Sequence, residues 1–451
     1  MAHTAPWWPP NVPRRSPESL YQTLGTWSLA HEKSRSPSRL YLIIVIEREW
    51  PLSRIGRMFA SLEKLAHQSK VHLQIADAAH ATIRVVPTLQ QADFALRVFA
   101  PSSAGASTEQ ADVFDVVEEA DEGEQVKVVQ LSKQTFASHD AIDVQLNVPH
   151  LVDLDINVVR GEVSVSDKIE GNVRVTVSDG DITVNKVRGE QIQLKTNRGR
   201  VTVAALLEGE KVKLAASAVS VKRLMSASTE IKIAKSSDDS DLGAIYSSLC
   251  LVNSQSSGTL TVGNIHGFLR VHADAMEAIN VHSVNGALHV EDTGPQCTVD
   301  AHFDAWSPET SNKIFVGGNV RVSLDPSAPI DLELHGTRIE TGTCQFGDHE
   351  LDQLDDDYAL FTGSLLAAVA TAPPSHGGAS GKVNVGSAKT SAMRTSFFAA
   401  EKDTSDPGSM AASSGEHPAN PPRLIVHSSN GSVSVEQLDW MGKIKRKHLK
   451  Q

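Results

Sequence analysis

The chain has 451 residues, more than one compact core usually serves, so two domains or one elongated repeat are the starting expectations. Hydrophobic residues at 40% and 30 glycines place it among ordinary globular chains and exclude a collagen-like, wholly disordered or membrane-embedded one. Aromatics at 5% argue for a core of Val, Ile and Leu, and a net charge of −12 (42 basic against 54 acidic residues) argues against a nucleic-acid partner, whose binding rests on phosphate neutralisation.

Residues 1–37 are rich in Pro and Ser and read as a disordered leader. Prolines interrupt its start, MAHTAPWWPPNVPRRSPESL, so no standard signal peptide is expected. Leu40 to Ile46 falls far short of the ~20 apolar residues that span a bilayer, so no transmembrane segment is expected. Arg14, Arg15, Lys33, Arg35 and Arg39 are set against only Glu18 and Glu32. A mitochondrial targeting segment shares that bias with basic Pro-rich tails, so an intracellular chain, cytoplasmic or mitochondrial, is expected. Trp7, Trp8 and Trp27 hint at a short docking motif in the leader.

Residues 38–101 read as a small α+β capping region, with strand-like runs LYLIIVI, HLQIAD, TIRVV and FALRVFA. Between the first two, Ile55, Met58, Phe59, Leu62 and Leu65 recur at helical spacing and predict a helix. Residues 102–135 hold an acidic loop (Asp112, Asp115, Glu118, Glu119, Asp121, Glu122, Glu124) and a connecting strand.

Residues 136–347 repeat one phrase: a glycine, a polar residue, then aliphatic–polar–aliphatic. Gly161, Gly171, Gly180, Gly189, Gly199 and Gly209 open successive instances, 10, 9, 9, 10 and 10 residues apart. The phrase weakens through AVSV and TEIKI, then returns at Gly258, Gly267, Glu277, Gly286 and Gly317. Its period-two alternation predicts short strands with an aliphatic inner face (Val163, Val165, Val173, Val175, Ile182, Val184, Ile192, Leu194, Val201, Val203) and a polar outer one (Ser164, Arg174, Thr183, Gln193, Thr202). Glycine suits the corners, and no proline interrupts His150 to Gly294, as a continuous ladder requires. Two phrases, 19–20 residues, then make one coil of a parallel β-solenoid. An antiparallel sandwich could use the same strands, but its hairpins favour two-residue loops and less even spacing. Solenoid ends need caps, for which the helical N-terminal segment and the late RLIVHSSNGSVSV piece are the candidates.

Residues 348–370 follow as the C-terminal solenoid edge, 371–422 as a low-complexity disordered insertion, 423–440 as closing strands and 441–451 as a basic tail. That tail, KIKRKHLK, could touch anionic lipid or nucleic acid, but on an acidic chain it reads as solvated. Asn430-Gly431-Ser432 is a sequon that matters only in a secreted chain.

The glycine-phased phrases resemble the "putative-adhesin" family of right-handed β-solenoids, a domain of unknown function. More closely, IYSSLCLVNSQSSGTLTVGNIHGFLRV (245–271) and GSVSVEQLDW (431–440) resemble the eukaryotic "family with sequence similarity 185", discontinuously over about residues 72–445. The acidic loop and the 371–422 insertion depart from it. The resemblance implies an all-β, right-handed parallel β-helix of no known catalytic activity, with a mitochondrial association of animal relatives.

No phosphate loop, zinc-protease histidine pair or nucleophile elbow is present, and no catalytic, cofactor-binding or metal residue is assigned. His282 and His302 stand one coil apart and could pair on a metal, but without a convergent third ligand they read as stacked surface histidines. Glu162 and Asp181, with Arg200 next in the column, and Glu190 with Glu210 could form carboxylate columns for calcium or for acid–base work on a polysaccharide. Arg200 favours a plain charge ladder instead. Cys250, Cys297 and Cys344, 47 residues apart each time, read as buried hydrophobes. The expected function is a non-enzymatic protein-binding scaffold, monomeric or associating end to end, whose outer positions are short and polar (Ser164, Thr176, Thr183, Thr202, Thr261). The alternative is a carbohydrate-active β-helix enzyme or carbohydrate-binding module. Tyr246 and Trp306 are the only Tyr or Trp between 136 and 347, too few for the usual sugar-stacking platform.

Overall fold

The computed structural model describes residues 31–32, 39–46, 58–63, 69–75, 80–88, 93–99, 114–121, 124–131, 142–306, 311–326, 330–342, 344–355, 357–366, 422–438 and 442. Every element along residues 31–438 of that set is a strand, and the central ladder is a parallel β-solenoid. Each coil has two limbs joined at a corner. In the long strand Ile182–Arg198, residues 182–188 pair with the first limb of the next coil and residues 191–195 with its second limb. Stacked first limbs form one sheet and stacked second limbs another.

The register follows the glycine phrase. Val163, Ile182, Val201 and Val219 align across the first-limb sheet, and Leu154, Val173, Ile192 and Val212 across the second. All eight are at most 1% exposed, and the second-limb column continues through Thr229, Cys250, Leu269 and Leu288, equally buried. The aliphatic phase read from the sequence is therefore the core.

Backbone proximity dictates the corners. Gly161, Gly180 and Gly199 stack at one of them with φ of 140°, 136° and 151°, where L side chains are strained. A Cβ on Gly180 would lie 1.9 Å from the Gly161 carbonyl oxygen. Where the column leaves glycine, serine takes over by bonding the same kind of carbonyl: Ser217 Oγ donates to Gly199 O (2.6 Å), Ser236 Oγ to Ser217 O (2.7 Å) and Ser256 Oγ to Ser236 O (3.1 Å).

The ends differ from expectation. Met58–Glu63 is a strand, antiparallel to Asp93–Phe99, where helical spacing predicted a helix; Ile55 and Leu65 lie outside the described residues. The open edge of Asp93–Phe99 offers backbone partners along its length, and the sequence MFASLE also alternates, so pairing prevails over helical periodicity. The parallel ladder begins before residue 136: Ser69–Ile75 and Ala81–Thr88 pair in parallel with Val152–Glu170. Within 102–135, Phe114–Asp121 and Glu124–Leu131 form an antiparallel hairpin rather than a plain loop. The RLIVHSSNGSVSV piece is an interior coil, not a cap. Arg423–Ser428 lies between Asn312–Val316 and Ile330–Gly336, and Ser432–Gln437 lies between Val320–Leu324 and Arg338–Glu340. Beyond them, Tyr358–Leu365 and Phe346–Asp355 close the second-limb sheet as antiparallel strands. The leader apart from His31–Glu32, the 371–421 insertion and the basic tail apart from Gly442 lie outside the described residues. Among the described residues no helix is long and apolar enough to cross a membrane.

Val201→Asp puts an unpaired carboxylate among aliphatic neighbours and is expected to lower stability by about 4 kcal/mol or more, seen as loss of the main thermal transition. Thr202→Asp, one residue along and facing outward, should melt within about 0.5 kcal/mol of the parent. Gly180→Ala is expected to cost about 3 kcal/mol by the same measurement, well above the usual glycine-to-alanine effect.

Candidate binding face

At several corners a short polar side chain, at two of them the residue after the corner glycine, has a structural task. Asp153 Oδ1 accepts the Asn172 N–H (2.7 Å), Asn172 Oδ1 the Gln191 N–H (2.8 Å), Asp181 Oδ1 the Arg200 N–H (2.7 Å) and Asp239 Oδ1 the Thr259 N–H (2.8 Å). Each side chain thus satisfies a corner amide of the next coil that the strand ladder leaves over. Asp181 belongs to this ladder, and the Arg200 guanidinium donates to the Asp239 carbonyl. Glu190 and Glu210 do align on adjacent coils, both exposed. Among the described residues no three His, Cys, Asp or Glu side chains are gathered to hold a metal ion.

His282 and His302 do not share a face. His282 is exposed and His302 is 7% exposed, because the register shifts between Val281 and Val284 and swaps the sides on which the two imidazoles emerge. His302 Nδ1 lies 2.8 Å from Ser323 Oγ and its Nε2 2.9 Å from Asp304 Oδ1, while Ser283 Oγ bonds the second Asp304 oxygen. The residue types are those of a nucleophilic triad, but the order of exposure is reversed: Ser323 is fully sealed and Asp304 is the open end. A substrate carbonyl cannot reach that hydroxyl, and the group braces three adjacent strands. The spacing of these residues gives no hint of it, since Ser323 stands 21 positions from His302.

Burial pushes the thiols of Cys250 and Cys297 up to about 12, with Asp292 adding to the effect at Cys297. Cys344, half-buried, is pushed up to about 11 by burial, so none of the three is a ready thiolate.

The outer face of the second-limb sheet is hollowed. Three adjoining shallow depressions of about 180, 550 and 310 Å³ run along it over residues 193–291. Side-chain size makes the hollow: Ala215 sits between Lys195 and Lys232 in adjacent strands, so the floor drops there between two long side chains. Lys195, Lys213, Lys232 and Arg270 line the trough with Glu230 and Glu291. Glu230 is held below the usual carboxylate range, first by the hydrogen bond from Lys232 (2.8 Å). Glu291 lies 3.6 Å from His272 and 3.9 Å from Arg270. Among the described residues Lys195 has no carboxylate partner.

Further along this face the strands bring histidines together. His289 Nε2 bonds the Ser311 carbonyl at 2.7 Å, and His427 sits beside His335, ring centroids 5.6 Å apart. His335 links Tyr358 Oη (2.6 Å) to Glu333 (3.0 Å), and Arg423 binds the other oxygen of Glu333. Desolvation lowers the pKa of His289 and of His427, with His335 adding to the effect on His427. Glu333 is held low, first by its hydrogen bond from His335. Of the outer residues expected to be short and polar, Ser164, Thr183, Thr202 and Thr261 form part of a row on the first-limb sheet, whereas Thr176 is on the other sheet.

No family model and no curated protein matches the chain. Among solved structures it is similar to a "putative cell adhesion protein" from Clostridium sporogenes, at 7% identity over 85% of this chain and 99% of that one, with a TM-score of 0.13. A score that low bears no functional weight, and the β-solenoid assignment rests on the parallel register itself.

Because His289 and His427 have depressed values, the unfolded chain takes up their protons at a higher pH than the folded one. Their contribution to stability is present above about pH 6.5 and is lost as pH falls toward the folded values. Melting temperatures between pH 7.5 and 5 should therefore fall less steeply in a His289→Gln/His427→Gln variant than in the parent.

Proposed function

We propose that this chain is a non-enzymatic scaffold that presents the outer face of its second-limb sheet to an extended segment of a protein partner. The observation that carries the reading is the trough over residues 193–291, continuous across adjacent strands and shallow throughout. A rigid parallel ladder holds such a surface in one shape, which lowers the ordering cost of binding to the partner's side alone. Small-molecule sites are deeper and enclose most of their ligand.

The chemistry of the face supports binding over catalysis. Its carboxylates are tied to lysine, arginine and histidine, an arrangement that fixes charge rather than poising a group for proton transfer. The tyrosine and tryptophan on which a sugar would usually stack lie elsewhere. Tyr246 stacks on His266 at 4.5 Å, and Trp306 stacks on Phe303 at 4.6 Å, half-buried. Neither lines the trough, which counts against the carbohydrate-active alternative. The resemblance of 245–271 and 431–440 to the eukaryotic family fits a chain without catalytic residues, and an intracellular, cytoplasmic or mitochondrial, residence belongs to the same reading.

Proximity labelling with the full chain and with Ala215→Trp, which fills the hollow without touching the core, tests this. The parent should label a reproducible set of proteins that the variant loses while its melting is unchanged. An identical set from both, or hydrolysis of a polysaccharide by the purified chain, would overturn the reading. Deletion of residues 1–30, which spares the strand Arg39–Ile46, reports in the same experiment whether the leader directs residence.

A further inference from the structure

The second-limb sheet ends at Phe346–Asp355, which among the described residues is paired on one side only, antiparallel to Tyr358–Leu365. Tyr358–Leu365 pairs antiparallel with Ile330–Gly336, so this hairpin extends the sheet past its last parallel strand. An edge strand presents backbone N–H and C=O groups without a sheet partner, and proteins commonly guard such edges by making them short or charged. This edge is charged but not short. It runs for 10 residues and carries Asp348, Glu350, Asp352 and Asp355. After Phe346 every residue of it is exposed, and Leu351 and Leu354 are each 58% exposed. Carboxylates alone would suffice to keep two copies from pairing edge to edge. Two leucines left in water on the same strand have no protective use, and a docked strand would cover them.

We propose that the outer edge of Phe346–Asp355 is a strand-addition site for an extended, basic segment of a partner protein, which joins as the next strand of the second-limb sheet. Backbone hydrogen bonds to the open edge supply the affinity. Lysine or arginine side chains on the incoming strand answer the four carboxylates, and aliphatic residues alternating with them pack on Leu351 and Leu354. The same carboxylates reject an acidic segment, including this strand from a second copy. The site is separate from the trough and stands without it.

The test is a titration of the full chain at low salt with a fluorescein-labelled decapeptide of alternating lysine and valine, read by anisotropy and by amide hydrogen exchange over residues 346–355. Saturable binding with slowed exchange in that strand is expected. A version of the peptide with proline at its centre should bind about tenfold more weakly, because it loses a ladder donor and its extended pairing. Glu350→Lys and Asp352→Lys, both at exposed positions, should each weaken the parent peptide by about tenfold without altering the melt. Equal affinity for the proline peptide, unslowed exchange in 346–355, or unaffected binding by the two variants would overturn the proposal. Binding that emerges only after removal of residues 441–451 would assign the edge to the chain's own basic tail and overturn it as well.

Discussion

In-register stacking of aliphatic side chains between parallel limbs is the constraint on which the rest depends. Val163, Ile182, Val201 and Val219 occupy one lattice position in four successive coils, and a shift of one residue would send all four to water. Adjacent coils approach to about 4.8 Å along the stack, while packed sheets lie about 10 Å apart face to face, so the core is a thin slab between two sheets. Branched and short side chains fill such a slab well, which accounts for the scarcity of aromatic residues. The same approach distance governs the corners. Where one coil's Cβ would meet the previous coil's carbonyl, the chain uses glycine. Where a carbonyl or amide is left over, Ser217, Ser236, Ser256, Asp153, Asn172 or Asp181 satisfies it. Corner chemistry and core chemistry are thus two consequences of one spacing.

A solenoid solves its interior by repetition and must solve its ends individually. At the N-terminal side the first-limb sheet turns antiparallel at Asp93–Phe99 and Met58–Glu63, and at the C-terminal side the second-limb sheet turns antiparallel at Tyr358–Leu365 and Phe346–Asp355. Between these ends the coil formed by Arg423–Ser428 and Ser432–Gln437 is threaded out of sequence order, between coils that precede it in the chain. The long stretch before Arg423 makes that return feasible, since the entropy of closing a loop grows only slowly with its length. The out-of-order coil also builds the His335–His427 pair, whose members come from strands remote in sequence.

Side-chain size and charge divide the surface into faces of different character. The first-limb face carries a short polar row, whereas the second-limb face carries long basic side chains interrupted by alanine, and hence a trough. The ion pairs on that face are partly exposed and contribute little to stability individually. Their effect is to set the pattern of charge along that face.

Residues 161–209 carry their fold openly: the glycine steps give the coil length and the alternation gives the buried set, because a parallel ladder with one apolar face permits no other register. The N-terminal cap was not legible, since MFASLE satisfies both helical and strand periodicity and only the open edge of Asp93–Phe99 decides between them. The coil at 423–437 reads plainly as strands but not as an interior layer, because placement depends on which edge it meets after a long connection. The trough and the His302–Ser323–Asp304 brace were equally hidden. Both arise from side chains about one coil apart, and a bulge as small as that between Val281 and Val284 redirects them. Local pattern therefore determined the repeat and its inside and outside. Tertiary packing alone decided the order of the layers, the ends and the shape of the outer faces, because these depend on contacts between segments with no periodic relation in the chain.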